Sequence, residues 1–287
     1  MQRHILYASS PGSRALVERA EELIASARFR PYKAEGRTLA GMIEGDGHAP
    51  AFLKRTTTPS WVRGLIERIR GSRASRSLRG AGILAARGIP HPATLAALDA
   101  IQWGAIRASY LASEYLADAD TLSRFALGPG GIKGRDVRRR KRISDAVARA
   151  VRRLHDSGIY TRDLQETNVM VRDDGAGGYQ VYFVDLEDFR RARTVSWRRR
   201  MLNLVHLDRS IGRFLCRAAR LDFLYAYLGA RPGRAEARRR VAEILSLKAK
   251  VARRARRRSG TIASEAAGVR SDAEIARGGS RAESARN

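Results

Sequence analysis

Between Leu154 and Phe189 the chain reads LHDSGIYTRDLQETNVMVRDDGAGGYQVYFVDLEDF, and the second half of that stretch can fold in few ways. Val169-Met170-Val171 and Val181 to Val184 are short β-type runs separated by the Gly-rich turn DDGAGG, which predicts a hairpin. A hairpin returns its outer ends to one place. Asn168, just before the first run, and Asp185, just after the second, should therefore converge. Asp163 lies five residues before Asn168 on the same short loop, RDLQETN.

A carboxylate base, an amide oxygen and a second carboxylate meeting at one point suit phosphoryl transfer. That reaction asks the protein mainly to position a hydroxyl and to neutralise phosphate charge. Asp163 can accept an alcohol proton, while Asn168 and Asp185 offer the hard oxygens that Mg²⁺ prefers. A lysine signal upstream agrees. Only six of the 56 basic residues are lysines, and Lys54 ends the apolar run Ala51-Phe52-Leu53. The preceding segment GMIEGDGHAP reads as a hairpin tip. A strand lysine behind a flexible turn can reach the α and β phosphates of ATP, with Gly45 and Gly47 lying over them.

Length and composition set the surroundings. At 287 residues the chain can bury a substantial core, as one bilobal domain or two small ones. Its single cysteine, Cys216, excludes a disulfide framework and a Cys-based zinc site and makes a reducing compartment the default. The first residues turn polar too soon for a signal peptide. No run approaches the roughly 18 apolar residues of a membrane span. The formal charge of +27 points to an acidic partner or surface.

The expected fold is α+β and bilobal, with a small β-rich first lobe and a larger helical second lobe. Residues 1–36 read as an N-terminal extension. Residues 37–116 form the first lobe and hinge: strands over 37–56, one helix over 59–87, a break at RGIPHP (Arg87 to Pro92), then β-type runs ending at the hinge Glu114-Tyr115-Leu116. Residues 117–258 form the second lobe. In it, residues 141–157 carry Ile143, Val147, Ala150, Val151 and Leu154 on one helical face. Apolar residues recur at helical spacing from Trp197 to Leu228, and residues 234–258 predict a basic helix. Residues 259–287 are Ser, Ala, Gly and Arg with few bulky apolar side chains, the composition of a disordered tail.

Taken in order, LKR, PSW, SRA, RGIPHP, EYL, LHDSGIYTRDLQETNVMV, VYFVDLEDFRRAR and WRRRMLNLVHLDRS resemble the bacterial lipopolysaccharide kinase family, the Kdo and heptose kinases of the inner core. The resemblance spans residues 37 to 230. It implies a protein-kinase-like fold, ATP with Mg²⁺, and phosphorylation of a sugar hydroxyl on a lipid-anchored glycan. That acceptor would lie at the cytoplasmic face of the inner membrane, where the protein would be peripheral. By position, Lys54 and Glu114 would bind the nucleotide, Arg162 and Asp163 would be catalytic, and Asn168 and Asp185 would hold the metal.

Two positions depart from the family pattern. Thr161 stands where the loop usually has His before Arg-Asp. Ser77 stands where a helix glutamate should pair with the strand lysine, and the only carboxylate between Lys54 and Pro90 is Glu67. Either Glu67 takes the role from a shifted helix, Lys54 works unpaired, or the chain is a kinase fold that binds without catalysing. A kinase of another small-molecule or protein hydroxyl shares the same Asp-Asn-Asp core.

Arginine runs at 138–142 and 248–258 raise a further expectation. In the last helix Val241, Ile244, Leu245 and Val251 make an apolar stripe flanked by arginines, as on a helix lying on an anionic bilayer. The same stripe could instead pack on the second lobe. Nucleic acid is not expected as a partner, because no aromatic platform interleaves the basic residues.

Overall fold

The computed structural model describes residues 1–44, 49–127 and 137–253. Two compact units divide it, Met1–Arg231 and Pro232–Asn287. The first unit starts with a six-stranded antiparallel sheet and its helices. Its elements run β1 (Gln2–Ala8), α1 (Pro11–Glu18), α2 (Ala20–Ala25), β2 (Phe29–Glu35), β3 (Thr38–Ile43), β4 (Ala51–Thr57), α3 (Trp61–Arg70), α4 (Arg73–Ala85), β5 (Thr94–Gln102) and β6 (Ala105–Glu114). The strand order is β1-β5-β6-β4-β3-β2.

Residues 1–36 are therefore part of this lobe rather than an extension before it. They supply both edge strands and two helices. Their edge position explains why the sequence hid them: β1 and β2 each have one unpaired side, so polar residues interrupt any alternation. The sheet centre is rich in alanine. Ala96, Leu98, Ala100, Ala108 and Ala112 let Val17 of α1 and Ala20 of α2 come down onto the strands. The Glu21 carboxylate closes that contact by accepting from the Tyr110 hydroxyl and pairing with Arg55 at 2.6 Å.

Residues 59–87 form two helices, not one. Gly71 adopts φ 91°, a backbone that L side chains resist, and Ser72 then caps α4 by accepting from Ser75 N at 3.0 Å. After β6 come β7 (Ala119–Thr121), α5 (Leu122–Leu127), α6 (Val137–Asp156), β8 (Ile159–Thr161), β9 (Val169–Asp173), β10 (Tyr179–Phe183), β11 (Phe189–Arg191), α7 (Trp197–Ile211) and α8 (Arg217–Leu228). The expected helix at 141–157 is α6, which buries Ile143, Val147, Val151 and Leu154. The long helical stretch from Trp197 is interrupted at Gly212 to Cys216 and so becomes α7 and α8. In the second unit residues 234–253 are helical. The remainder of the expected basic helix, the expected tail, Gly45 and Gly47 lie outside the described residues.

Candidate active site

The hairpin forms as its sequence dictates. β9 and β10 pair in register from Val169 with Phe183 to Asp173 with Tyr179. The Asp174 side chain accepts twice within the turn: its Oδ1 takes the N–H of Ala176 and of Gly178. At the other end Val184 N donates to Asn168 O at 3.0 Å, which brings Asn168 and Asp185 to the same end of the hairpin. Asn168 Nδ2 also donates to the main-chain oxygen of Asp163 at 3.1 Å and faces its Oδ2 at 3.5 Å. Asp163 and Asn168 are thus joined directly, and Asp185 directly follows the residue bonded to Asn168. Gln165 donates to the other Asp163 oxygen, Oδ1.

Asp185 has φ 55° and ψ 65°, a left-handed backbone that costs a non-glycine residue energy. The turn is held in that conformation from above. Gly80 of α4 lies so close to Leu186 that a Cβ there would stand 2.0 Å from the Leu186 carbonyl oxygen. Phe183 N donates to Pro90 O at 3.1 Å, so the break after α4 is fastened to β10.

Lys54 reaches this turn from β4. Its Nζ lies 2.8 Å from Asp185 Oδ1 and 3.0 Å from Glu187 Oε1. Burial works to lower the Lys54 pKa, but the two carboxylates outweigh it and the net shift is upward, so the ammonium stays charged. Glu187 is buried, and it also faces Arg73 and Arg76 of α4 at 3.7 and 3.5 Å. This arrangement corrects the expectation about the missing helix glutamate. Ser77 is buried on α4, while Glu67 accepts from the Thr58 hydroxyl at 3.0 Å and plays no part at Lys54. The carboxylate comes instead from two residues past Asp185, and the helix carries the arginines. One signal for it was readable: Arg73 and Arg76 sit within one turn of Ser77, giving that helix face the wrong sign for a lysine partner.

Beneath the loop lies a buried polar chain that the sequence did not reveal. Asn203 of α7 donates from Nδ2 to Thr161 O at 2.6 Å, so its Oδ1 must accept, here from His155 Nε2 at 2.9 Å. His155 is accordingly the Nε2–H tautomer, and its Nδ1 accepts from the Tyr227 hydroxyl at 2.8 Å. Burial pushes the His155 pKa down to about 4, which keeps the ring neutral. The Thr161 hydroxyl accepts from Asp163 N at 3.2 Å. Thr161 thus orients the backbone of Asp163 through its side chain while Asn203 anchors its carbonyl.

Arg162 directly precedes Asp163 and its side chain is exposed. His206 of α7 lies near both: burial lowers its pKa, opposed by the Asp163 charge and a bond with the Arg162 backbone. Glu114 ends β6, where its N–H donates to Ala93 O at 2.8 Å and its Oε2 accepts from Ala93 N at 3.2 Å. The side chain of Glu114 therefore ties the end of β6 to the start of β5, and in the hinge that follows Ala117 N donates to Tyr115 O at 3.0 Å. Beside it the Tyr115 and Tyr32 hydroxyls share a hydrogen bond of 2.8 Å.

One amide oxygen and one carboxylate suffice for Mg²⁺ when phosphate oxygens complete the shell, so Asn168 and Asp185 fit that ion by donor type. Among the described residues no cluster of three His, Cys, Asp or Glu side chains forms a self-sufficient metal site. No helix among them is long and apolar enough to cross a membrane.

A family model described as lipopolysaccharide kinase (Kdo/WaaP) matches residues 63–227. No curated protein matches the chain. Among solved structures, one described as WaaP in complex with acyl carrier protein superimposes with a TM-score of 0.61 at 23% identity, covering 88% of this chain and 99% of the other. That similarity carries the bilobal kinase-like fold.

Proposed function

Because this chain belongs to the lipopolysaccharide kinase (Kdo/WaaP) family, we propose that it uses Mg-ATP to phosphorylate a sugar hydroxyl of a lipopolysaccharide inner-core glycolipid. The observation that supports this reading most directly is the meeting of Lys54 with Asp185 and Glu187, next to the Asp163–Asn168 loop. Asp163 takes the proton of the sugar hydroxyl as its oxygen bonds to the γ-phosphorus, and the bond to the β-phosphate oxygen breaks to release ADP. Lys54 binds the α and β phosphates. Asn168 and Asp185 would hold Mg²⁺, which neutralises charge on the phosphates when bound. Glu114 and the hinge after it seat the nucleotide base, and Arg162 supports the loop that carries the base catalyst.

Glu187 is a positioning residue in this reading. It gives Lys54 a second carboxylate, so the lysine keeps a partner when Asp185 turns to other ligands. A binding protein without catalysis was the alternative that Ser77 and Thr161 raised; Glu187, as a carboxylate partner for Lys54, favours the catalytic reading over it. The acceptor sits on a lipid, so the protein works as a peripheral protein on the cytoplasmic face of the inner membrane. The test is incubation of purified protein with γ-labelled ATP, Mg²⁺ and lipid extract from its own source. Label in a core sugar supports the proposal. Label on protein or soluble metabolites, or ATP that is bound and never turned over, refutes it.

A further inference from the structure

Helix α3 is built inside out. Its Trp61, Val62, Leu65, Ile66 and Ile69 are all exposed, with Ile69 at 81%, while its buried position is Gly64. Gly64 is the docking point: a Cβ there would stand 2.3 Å from the Ile106 oxygen of β6. The other inward groups are polar, with Glu67 bonded to Thr58 and Arg68 donating to Gly104 O at 2.7 Å. At about 100° per residue the five apolar side chains fill one continuous arc of about 140°. Arg63 and Arg70 border that arc on one side and Arg68 on the other.

A second element adds to the same face. The β5–β6 hairpin turns through Trp103 and Gly104, with φ of 49° and 75°. Such a turn favours Asn-Gly, and a bulky aromatic in the left-handed region is a poor choice for folding alone. Trp103 is nevertheless there and 82% exposed. Its carbonyl accepts from Trp61 Nε1 at 3.1 Å, which locks the hairpin tip to the start of α3. The apolar surface is therefore held in place by polar contacts beneath it.

We propose that α3 and the Trp103 turn form a docking surface for an anionic lipid bilayer. The face is a helix ridge with arginines at its borders, the pattern of an in-plane interfacial helix, and tryptophan favours the headgroup level. The chain's charge of +27 complements an anionic surface. The inference stands on this surface and not on the chemistry at Asp163, so an Asp163→Asn protein should bind vesicles as the parent does even if the proposed reaction fails.

The test is sedimentation of the full chain with phosphatidylglycerol/phosphatidylcholine vesicles and with phosphatidylcholine alone. In a Trp197→Phe background the emission comes from Trp61 and Trp103 only, since the chain has 3 tryptophans. Emission should shift to the blue on anionic vesicles and be quenched by brominated lipid. Val62→Ser with Ile69→Ser, at exposed sites, should lower partitioning by about tenfold. Trp103→Gly, which suits the turn's backbone, should lower it by a similar factor. Binding that survives these changes but is lost on Lys248→Gln, Lys250→Gln and Arg253→Gln would assign the contact to the basic helix and overturn the proposal. Equal binding to both vesicle types, unshifted tryptophan emission, or self-association abolished by Val62→Ser/Ile69→Ser would overturn it as well.

Discussion

The Nζ of Lys54 stands 3.0 Å from Glu187 Oε1, and the opposite oxygen of that carboxylate faces Arg76 at 3.5 Å. Glu187 is thus shared between the strand lysine and helix α4, with Arg73 completing the set at 3.7 Å. A charge pair that in the family pattern would run from lysine to helix runs here through a carboxylate between two cationic elements. Removing that carboxylate would leave Lys54, with Asp185 as its remaining partner, facing Arg73 and Arg76 across a half-buried space, which is costly.

Glu187→Gln should therefore reduce ATP turnover about as far as Lys54→Met, by ~10² or more. The double variant should lose little beyond either single change, because the residues act as one unit. Glu67→Gln should stay within about twofold of the parent, since its partner is Thr58. Steady-state rates of the four variants decide the matter. A silent Glu187→Gln together with an inactive Lys54→Met would mean that Lys54 works through Asp185 alone.

Asp163 and Asp185 should separate in a binding assay. Asp163→Asn removes a base, so nucleotide affinity should remain within a few-fold while turnover falls by about 10² or more. Asp185→Ala should weaken Mg²⁺-dependent ATP binding as well, and it also frees one bond of Lys54. Calorimetric titration with a non-hydrolysable ATP analogue, with and without Mg²⁺, checks both. Parent-like turnover in both variants would remove the assignment.

Much of the site was legible because hairpins enforce register. Once Val169–Val171 and Val181–Val184 are read as paired strands, the meeting of Asn168 and Asp185 follows from backbone geometry. Lys54 was legible because a lysine closing an apolar strand is unusual in an arginine-rich chain. Glu187 itself was not: Arg73 and Arg76 mark that face of α4 as cationic, but which carboxylate answers them depends on a contact that no local pattern encodes. His155, Asn203 and Tyr227 were hidden for the same reason: 72 residues separate His155 from Tyr227 in sequence. The split of 59–87 into α3 and α4 turned on Gly71, whose backbone conformation is set by the contacts around it rather than by the helical pattern on either side.

The His155 chain makes acid stability a probe of the loop's support. Burial lowers the His155 pKa from 6.5 to about 4. Protons then favour the unfolded chain, so this stabilisation is fully present above pH 6.5 and is lost as pH falls toward 4, by about 3 kcal/mol in all. A His155→Gln protein should be less stable at pH 7, yet its stability should fall less than the parent's between pH 7 and 4.5. Urea unfolding at a series of pH values gives the comparison. Parallel curves for the two proteins would show that His155 does not carry the effect.

Asp99 should behave in the opposite sense. It sits buried on β5, where burial raises its pKa from 3.8 to about 6 and nearby Glu67 adds to the rise, while a bond with Ser72 and the charge of His4 oppose it. Its Oδ1 has no hydrogen-bond partner among the described residues. The folded protein therefore holds this proton more tightly than the unfolded chain. The contribution is most favourable below pH 3.8 and is lost as pH rises through 6, a cost of up to about 3 kcal/mol at neutral pH. Asp99→Asn, which keeps the shape and removes the charge, should raise stability at pH 7.5 by about 1 to 3 kcal/mol and give little or no gain at pH 4. Chemical denaturation of both proteins at the two pH values measures it. A loss at pH 7.5 would mean that the ionised carboxylate is held by its neighbours, His4 and Ser72, more strongly than burial opposes it.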